Sequence, residues 1–231
     1  MNAATANVRG SANATGRALR IQYGGTFDPV HHGHIAVARG AQQALAAEVH
    51  LMPAADPPHK DATHASASQR AAMLQLAIAG LPGLHVDLRE LRRAGASWTV
   101  DSLHELRAEL GAAAPLAILI GADSLLRLNT WHRWRDLFAL AHIVVAQRPG
   151  SDLQAGRLPA KLALIVEPRW ASAADLLRQP AGLLHLLRLP LRPESATELR
   201  RRIAAGEPWR QDVPPAVAQY ILTHGLYRQT A

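Results

Sequence analysis

Residues 24–34, GGTFDPVHHGH, combine glycine and histidine at a spacing that suits phosphate chemistry. The first two glycines let the backbone approach a ligand closely, because glycine has no side chain in the way. His31 and His34 are three positions apart, so they fall on one face if a helix begins here. Two imidazoles on that face can donate hydrogen bonds to phosphate oxygens whose charge grows in a transition state. A helix N-terminus would favour the same anion.

Two other interpretations of residues 24–34 stay open. Two or three histidines could bind zinc, although no carboxylate or cysteine stands at a familiar ligand spacing. The histidines could also have a structural role only. Two nucleotide-binding motifs are excluded, since the segment lacks both the Gly-Lys-Ser/Thr ending of a Walker loop and the three-glycine dinucleotide fingerprint.

Short apolar runs alternate with longer helix-like segments from Leu19 onwards. The predicted strands are Leu19–Tyr23, Val49–Met52, Leu84–Leu88, Leu116–Ile120, Ile143–Ala146 and Leu183–Leu189. The predicted helices between them are Gly33–Ala47, Ser66–Ala79, Thr99–Leu110, Asp123–Leu128 and Arg133–Leu140. This alternation predicts a Rossmann-like, doubly wound parallel α/β sheet with helices on both faces. Ligands of such sheets bind beyond the carboxyl ends of the strands, and residues 24–34 follow directly on the first predicted strand.

Two further helices, Ser195–Ala205 and Pro214–His224, predict a small C-terminal helical part packed on this sheet. We expect residues 1–18 to be a disordered tail and residues 19–231 to be a single domain, its last helices spanning 195–228. The segment Gly150–Gly182 has no clear period, which indicates a loop with at most one helix.

The composition of the 231 residues is that of a globular protein, with 48% hydrophobic residues and a formal net charge of +7. This charge indicates an anionic partner, which could be nucleic acid, a membrane surface or a phosphorylated small molecule. The chain has no cysteine, which excludes disulfides, thiolate zinc sites, iron–sulfur clusters and a cysteine nucleophile. No apolar run reaches the roughly 18 residues of a membrane span.

The segment 24–34 resembles the signature of the nucleotidyltransferase superfamily with the (His/Thr)-x-Gly-His motif. With Gly-Gly-Thr-Phe-Asp-Pro before it, the segment most resembles bacterial nicotinate-mononucleotide adenylyltransferases. Further sequence blocks match that family, in the same order along the chain, and extend the resemblance to about residues 20–228. These blocks are PPHK (57–60), ASWTVD (96–101), IGADS (120–124), WHRW (131–134), RPG (148–150), SATELR (195–200) and the segment from VP (213–214) to LY (226–227). The resemblance implies transfer of the adenylyl group of ATP to the 5′-phosphate of nicotinate mononucleotide, giving nicotinate adenine dinucleotide and pyrophosphate.

The resemblance also implies roles for the residues that match its motifs on the ATP side. The residues implied to act in catalysis are His31, His34, Lys60 and Arg200. The residues implied to bind ATP are Gly24, Gly25, Thr26, Phe27, His31, His34, Ser195, Thr197 and Arg200. For Ser195 and Thr197, capping of their own helix is the alternative. Arg70 could reach phosphate or form a surface salt bridge.

The residues implied to bind nicotinate mononucleotide are Asp28, Lys60, Thr99, Gly121, Asp123, Trp131 and His132. Trp131, expected to begin a helix, would stack on the pyridinium ring, while Thr99 and the backbone N–H of His132 would bind its carboxylate. Asp123 would bind a ribose hydroxyl, and Gly121 would permit close approach. For Asp28, a ribose contact and a role in placing the loop both stay open. The family often has tyrosine at the position of Trp98 and an aromatic residue at that of His132.

The cofactor expected is Mg²⁺ carried with the ATP phosphates, without a metal site of the protein. The partners expected are ATP and nicotinate mononucleotide, with no nucleic acid and no membrane; a homo-oligomer is left open. We expect a cytoplasmic enzyme of NAD biosynthesis. Three alternatives stay open: another phosphorylated acceptor such as nicotinamide mononucleotide or phosphopantetheine, a catalytically silent nucleotide-binding protein, and nucleic-acid binding through Arg200–Arg202.

Overall fold

The computed structural model describes residues 18–55, 63–93, 95–147, 158–190 and 192–228. Its strands are β1 (Arg20–Gly25), β2 (Glu48–Pro53), β3 (Leu84–Val86), β4 (Leu116–Gly121), β5 (His142–Gln147) and β6 (Leu184–Arg188). Its α-helices are α1 (His32–Leu45), α2 (Ala67–Ile78), α3 (Arg89–Arg92), α4 (Thr99–Leu110), α5 (Ala122–Leu126), α6 (Leu137–Leu140), α7 (Ala160–Val166), α8 (Ala196–Ala205) and α9 (Pro215–Thr223). No helix in these ranges is long and apolar enough to cross a membrane.

The six strands form one parallel sheet in the order β3-β2-β1-β4-β5-β6. The order reverses at β1, which pairs with β2 on one side and with β4 on the other. The prediction of a Rossmann-like parallel sheet is confirmed. The carboxyl ends of β1 and β4 therefore lie at the switch point, where open α/β sheets bind their ligands.

The inner strands bury alternate residues in two separate cores, as expected of strands covered on both faces. In β4, Leu119 packs into the core formed with α1, α2, α8 and α9, whereas Ile118 and Ile120 pack into the core formed with α4, α5, α6 and α7. In β5, Val144 packs into the first of these cores and Val145 into the second. The apolar runs of the sequence are thus buried on both faces of the sheet.

The predicted helices agree best with the structure where the sequence carries strong signals for a helix start or end. Helix α4 has the predicted bounds, and α2 begins with a capping box between Ser66 and Gln69. Helix α8 ends at Gly206, whose φ of 69° is the left-handed conformation of a helix C-terminus. The segment after residue 157 holds α7 and two 3₁₀ turns, Glu167–Arg169 and Asp175–Leu177.

One predicted helix, Arg133–Leu140, is wrong in its first half. Arg133 adopts a φ of 49°, which interrupts a right-handed helix, and only α6 is helical. Trp131 accordingly does not begin a helix; it follows the 3₁₀ turn Leu128–Thr130. The predicted tail falls almost wholly outside the described residues, and the single domain spanning 19–231 remains a proposal.

Candidate active site

The two histidines of the first motif lie at the N-terminus of α1. His31 is the residue before the helix, and the backbone N–H of His34 donates to its carbonyl at 3.0 Å. Their rings stack with centroids 3.7 Å apart and planes 28° apart. The edge of the Phe27 ring packs against His34 at 5.0 Å, in a loop where Phe27 itself has a φ of 52°. The sequence therefore places two imidazoles together at a positive helix end.

Two glycines in this motif are closely packed by neighbouring rings. A Cβ at Gly33 would lie 3.0 Å from Nδ1 of His31, and a Cβ at Gly25 would lie 2.9 Å from the ring of Phe27. Gly24 and Gly121 are exposed at the neighbouring carboxyl ends of β1 and β4. A Cβ at Gly121 would meet nothing within 4 Å, which leaves open space at the switch point.

Arg70 is a buried anchor of the motif loop, so neither sequence-based interpretation of it is correct. Its guanidinium is fully buried and donates to the carbonyls of Thr26, Ala55 and Ala65 at 2.7, 3.1 and 3.3 Å. Burial lowers the pKa of this guanidinium, while the charge of nearby Asp28 opposes the shift. Arg70 thus joins the loop after β1 to the end of β2 and to the start of α2.

The carboxylate of Asp28 is engaged by the protein itself. It accepts hydrogen bonds from the backbone N–H groups of His64 and Ala65, at 2.8 and 3.2 Å, and from the hydroxyl of Tyr227 at 2.7 Å. Burial and the charge of Asp28 raise the pKa of Tyr227 far above its ordinary value, so the phenol remains a donor. These contacts favour the loop-placing role for Asp28, and a ribose contact stays a prediction.

The start of α8 lies beside the same loop. Nη1 of Arg200 donates to the backbone carbonyl of Asp28 at 2.6 Å, and Nη2 lies 3.5 Å from Oγ1 of Thr197. Ser195 and Thr197 are exposed, and Ser195 makes no side-chain cap bond to its own helix. The structure thus brings Arg200 and the histidine motif together across 172 positions of the chain.

A cavity of about 110 Å³ is lined by Gly24 and Gly25 but by neither His31 nor His34. Thr99, at the first position of α4, and the half-buried Trp131 both line it. Its remaining lining residues are Gln22, Met52, Ala54, Glu90, Ser97, Leu103, Ile118, Leu119 and Ile120. The volume is of the size of one small aromatic ring, and an indole in its wall offers a stacking surface.

The predicted acceptor residues differ in how the structure places them. Thr99 and Trp131 share the cavity. His132 is exposed, and its ring packs on Trp98 with centroids 4.8 Å apart, so the two positions that depart from the family pattern contact each other. Asp123 is exposed in the first turn of α5.

Some of the predicted site falls outside the described residues. Lys60 belongs to this group, as do the neighbouring His59 and the block 148–150. The described ranges contain no group of three or more histidine, aspartate or glutamate side chains that could hold a metal ion.

A polar cluster that lines the cavity was not predicted from the sequence. Glu90 is buried, and its Oε1 accepts a hydrogen bond from the Ser102 hydroxyl at 2.8 Å. Ser97 also bonds this carboxyl and accepts from the backbone N–H of Ala55 at 3.1 Å. Gln22, in the middle of β1, donates to Asp87 at 2.7 Å. Gln22, beside the apolar Ile21 in a strand expected to be buried, was the available signal in the sequence.

Comparisons with known proteins agree with this geometry. The family model for cytidylyltransferase-like proteins matches residues 22–202. A protein of Stenotrophomonas maltophilia named "Probable nicotinate-nucleotide adenylyltransferase" is 56% identical over 91% of this chain and 97% of its own length. The chain belongs to the nicotinate-nucleotide adenylyltransferase family. A relative of the same name from Xylella fastidiosa is 49% identical over 90% of this chain and 96% of its own length.

Solved structures show the same fold as this chain, which is a member of the nicotinate-nucleotide adenylyltransferase family. The nicotinic acid mononucleotide adenylyltransferase of Plasmodium falciparum, complexed with NaAD, superposes with a TM-score of 0.69 at 16% identity. The match covers 91% of this chain and 98% of that one. A Vibrio parahaemolyticus structure described as a nicotinate-nucleotide adenylyltransferase superposes with a TM-score of 0.60 at 15% identity.

Proposed function

We propose that this chain transfers the adenylyl group of ATP to the 5′-phosphate of nicotinate mononucleotide and releases pyrophosphate. The observation that carries the proposal is that Gly24 and Gly25, in the segment that leads to the histidine pair, also line the ring-sized cavity. A nucleotide that joins an adenylyl group to a pyridine ring has to span both places. The names of the similar proteins support the same activity.

The proposed reaction needs alignment and charge neutralisation rather than a protein nucleophile. The acceptor phosphate oxygen attacks the α-phosphorus of ATP, the bond to the bridging oxygen breaks, and pyrophosphate leaves with that electron pair. His31 and His34 would donate hydrogen bonds to phosphate oxygens, aided by the N-terminus of α1. Arg200 would bind the outer phosphates, and Lys60 the mononucleotide phosphate.

Trp131 and Thr99 would hold the acceptor ring. Trp131 would stack on the pyridinium, and Thr99 with the backbone N–H of His132 would bind the carboxylate. Asp123 would bind a ribose hydroxyl, with Gly121 leaving room for it. Gly24, Gly25, Thr26 and Phe27, together with Ser195 and Thr197, would line the path of ATP.

ATP would enter with Mg²⁺ as part of the substrate. The triphosphate and water can supply most ligands of this ion, which retains its waters readily. We also propose a cytoplasmic location, which the names of the bacterial relatives in NAD biosynthesis support and with which the absence of cysteine is compatible.

The proposal includes no nucleic-acid partner. The arginines that follow Arg200 are paired within the protein: Arg201 binds Glu198 and Glu207 at 2.8 and 2.7 Å, and Arg202 binds Asp212. These pairs reduce the positive charge that the run could offer to phosphate backbones.

A direct assay tests the proposed function. The purified chain is incubated with ATP, Mg²⁺ and one acceptor at a time: nicotinate mononucleotide, nicotinamide mononucleotide or phosphopantetheine. We expect pyrophosphate and nicotinate adenine dinucleotide from the first acceptor at the highest kcat/KM. A tenfold or greater preference for nicotinamide over nicotinate would overturn the acceptor assignment, and no product from any acceptor would overturn the activity.

A further inference from the structure

The cavity is lined by the carboxyl group of Glu90, although the ring of the proposed ligand, nicotinate mononucleotide, also carries a carboxylate. Glu90 is 5% exposed and lines the cavity beside Thr99. Its partner Ser102 is three positions after Thr99 on α4, so the two hydroxyls lie on the same side of that helix, one turn apart. A ligand carboxylate held by Thr99 would therefore enter the same cavity as the carboxyl of Glu90.

The charges around Glu90 leave it without a direct cationic partner in the described part of the chain. Arg93, on the same side, donates instead to the Ser102 hydroxyl at 3.1 Å and to Glu105 at 2.7 Å. Asp87, which precedes the N-terminus of α3, is paired with Arg89 at 2.8 Å. Burial raises the pKa of Glu90 and the charge of Asp87 raises it further, against the lowering effect of its hydroxyl partners and of Arg93.

A second buried side chain that lines the cavity, Gln22, can accept a hydrogen bond. Gln22 is 1% exposed and lines the cavity. Its amide nitrogen is directed to Asp87, and its Oε1 receives no hydrogen bond from the described residues. Unsatisfied buried acceptors cost free energy, so a donor at this point would stabilise the site. A protonated carboxyl is a hydrogen-bond donor, and Glu90 lines the same cavity as Gln22.

We propose that Glu90 is a specificity-determining residue, which binds one proton from solvent when the anionic nicotinate ring enters the cavity and releases it when the ring leaves. Only the O–H bond of the carboxyl forms and breaks. The protonated group removes the repulsion between two carboxylates and donates either to the ligand or to Gln22. A neutral carboxamide ring needs no such proton. This inference rests on the proposed function.

Calorimetry of ligand binding in buffers of different ionisation enthalpy tests the proposal at one pH. Nicotinate and nicotinamide mononucleotides carry the same ribose phosphate and pyridinium, so the difference in proton uptake isolates the ring substituent. We expect the full chain to take up more protons, by up to about one, with the nicotinate ligand. The excess should vanish in Glu90→Gln and persist in Glu105→Gln, which changes a neighbouring carboxylate that does not line the cavity.

A second readout is the KM for nicotinate mononucleotide as the pH rises. In the wild type this KM should increase with pH, by up to about tenfold per pH unit, between the pKa of Glu90 in the free protein and its higher pKa in the complex, and Glu90→Gln should lack this increase. Equal proton uptake for the two ligands overturns the inference, and this comparison on the wild type decides even if Glu90→Gln does not fold. An unchanged excess in a folded Glu90→Gln also overturns it.

The two proposals fail in distinguishable ways. Formation of nicotinate adenine dinucleotide without a difference in proton uptake refutes only the role of Glu90. Absence of any dinucleotide product refutes the proposed function, and the inference with it.

Discussion

The phenolic oxygen of Tyr227 lies 2.7 Å from Oδ1 of Asp28, across 199 positions of the chain. This bond ties the segment after α9 to the loop that carries the histidine motif. Asp28 in turn receives the backbone N–H groups of His64 and Ala65. One carboxylate therefore connects the start, the middle and the end of the sequence at the candidate active site.

Replacement of Tyr227 by phenylalanine should weaken this connection without changing the packing of the ring. The buried carboxylate of Asp28 loses one donor, so we expect the free energy of unfolding to fall by about 1–3 kcal/mol. We expect kcat to fall as well, because the histidine loop is held less firmly. Urea unfolding and a steady-state assay measure the two effects. Tyr220→Phe on α9 is the matched control, and an equal loss in that variant would contradict the prediction.

His34→Ala should remove a transition-state contact while leaving the fold intact. The half-buried ring packs on His31 and Phe27, and its removal takes away one phosphate donor. We expect turnover to fall by about 10² or more, with the melting temperature little changed. His104→Ala, an exposed histidine of α4, serves as control. Turnover of the wild-type level in His34→Ala would exclude this side chain from the mechanism.

Trp131→Ala should affect the acceptor and not ATP. Loss of an indole face from the ring-sized cavity should raise the KM for nicotinate mononucleotide by about tenfold or more. The KM for ATP should stay within about twofold, because neither His31 nor His34 lines the cavity that contains Trp131. Trp170→Ala changes an exposed tryptophan outside the cavity. A matching rise in both KM values, or in the Trp170 variant, would speak against a stacking role.

Acid should destabilise the fold through His142. The side chain is fully buried; Nδ1 accepts from the backbone N–H of Leu183 at 3.1 Å, and Nε2 lies 2.9 Å from the carbonyl oxygen of Gln179. Burial lowers its pKa below the ordinary 6.5, so the folded state holds the neutral ring. The stability from this ring is fully present above about pH 6.5 and is lost as the pH falls towards the lower pKa of the folded state.

The corresponding variant is His142→Gln, which keeps a donor and an acceptor but does not titrate. Between pH 7.5 and pH 5, the melting temperature of His142→Gln should fall by about 2–4 °C less than that of the wild type. Differential scanning calorimetry across this range measures the difference. His104→Gln should retain the pH dependence of the wild type, and an identical pH dependence in His142→Gln would contradict the assignment.

Local sequence patterns were enough to predict the fold. The parallel sheet follows from alternation of short apolar runs with helical segments, and α4 follows from a clear helical period between Thr99 and Gly111. Arg133–Leu140 shows the limit of this reasoning. Its residues favour a helix, but Arg133 adopts a left-handed conformation that composition does not reveal.

The candidate site was predictable only where motifs mark it. The position of His31 and His34 follows from their spacing and from the strand before them. The buried roles of Arg70 and Glu90 do not, because a charged residue on a helix is normally solvated. Their partners, such as Thr26 for Arg70, are many positions away, and only the folded chain brings them together.

The central position of β1 has a consequence for how the protein is made. Although β1 is synthesised first, one of its neighbours begins at Leu116, so its hydrogen bonds on that side form only after half of the chain has been translated. The loop beyond β1 acquires its hydrogen bond from Tyr227 only after a further 199 positions beyond Asp28 have been translated. Nascent chains should therefore remain inactive until Tyr227 has left the ribosome, and truncation before Tyr227 should impair the first motif.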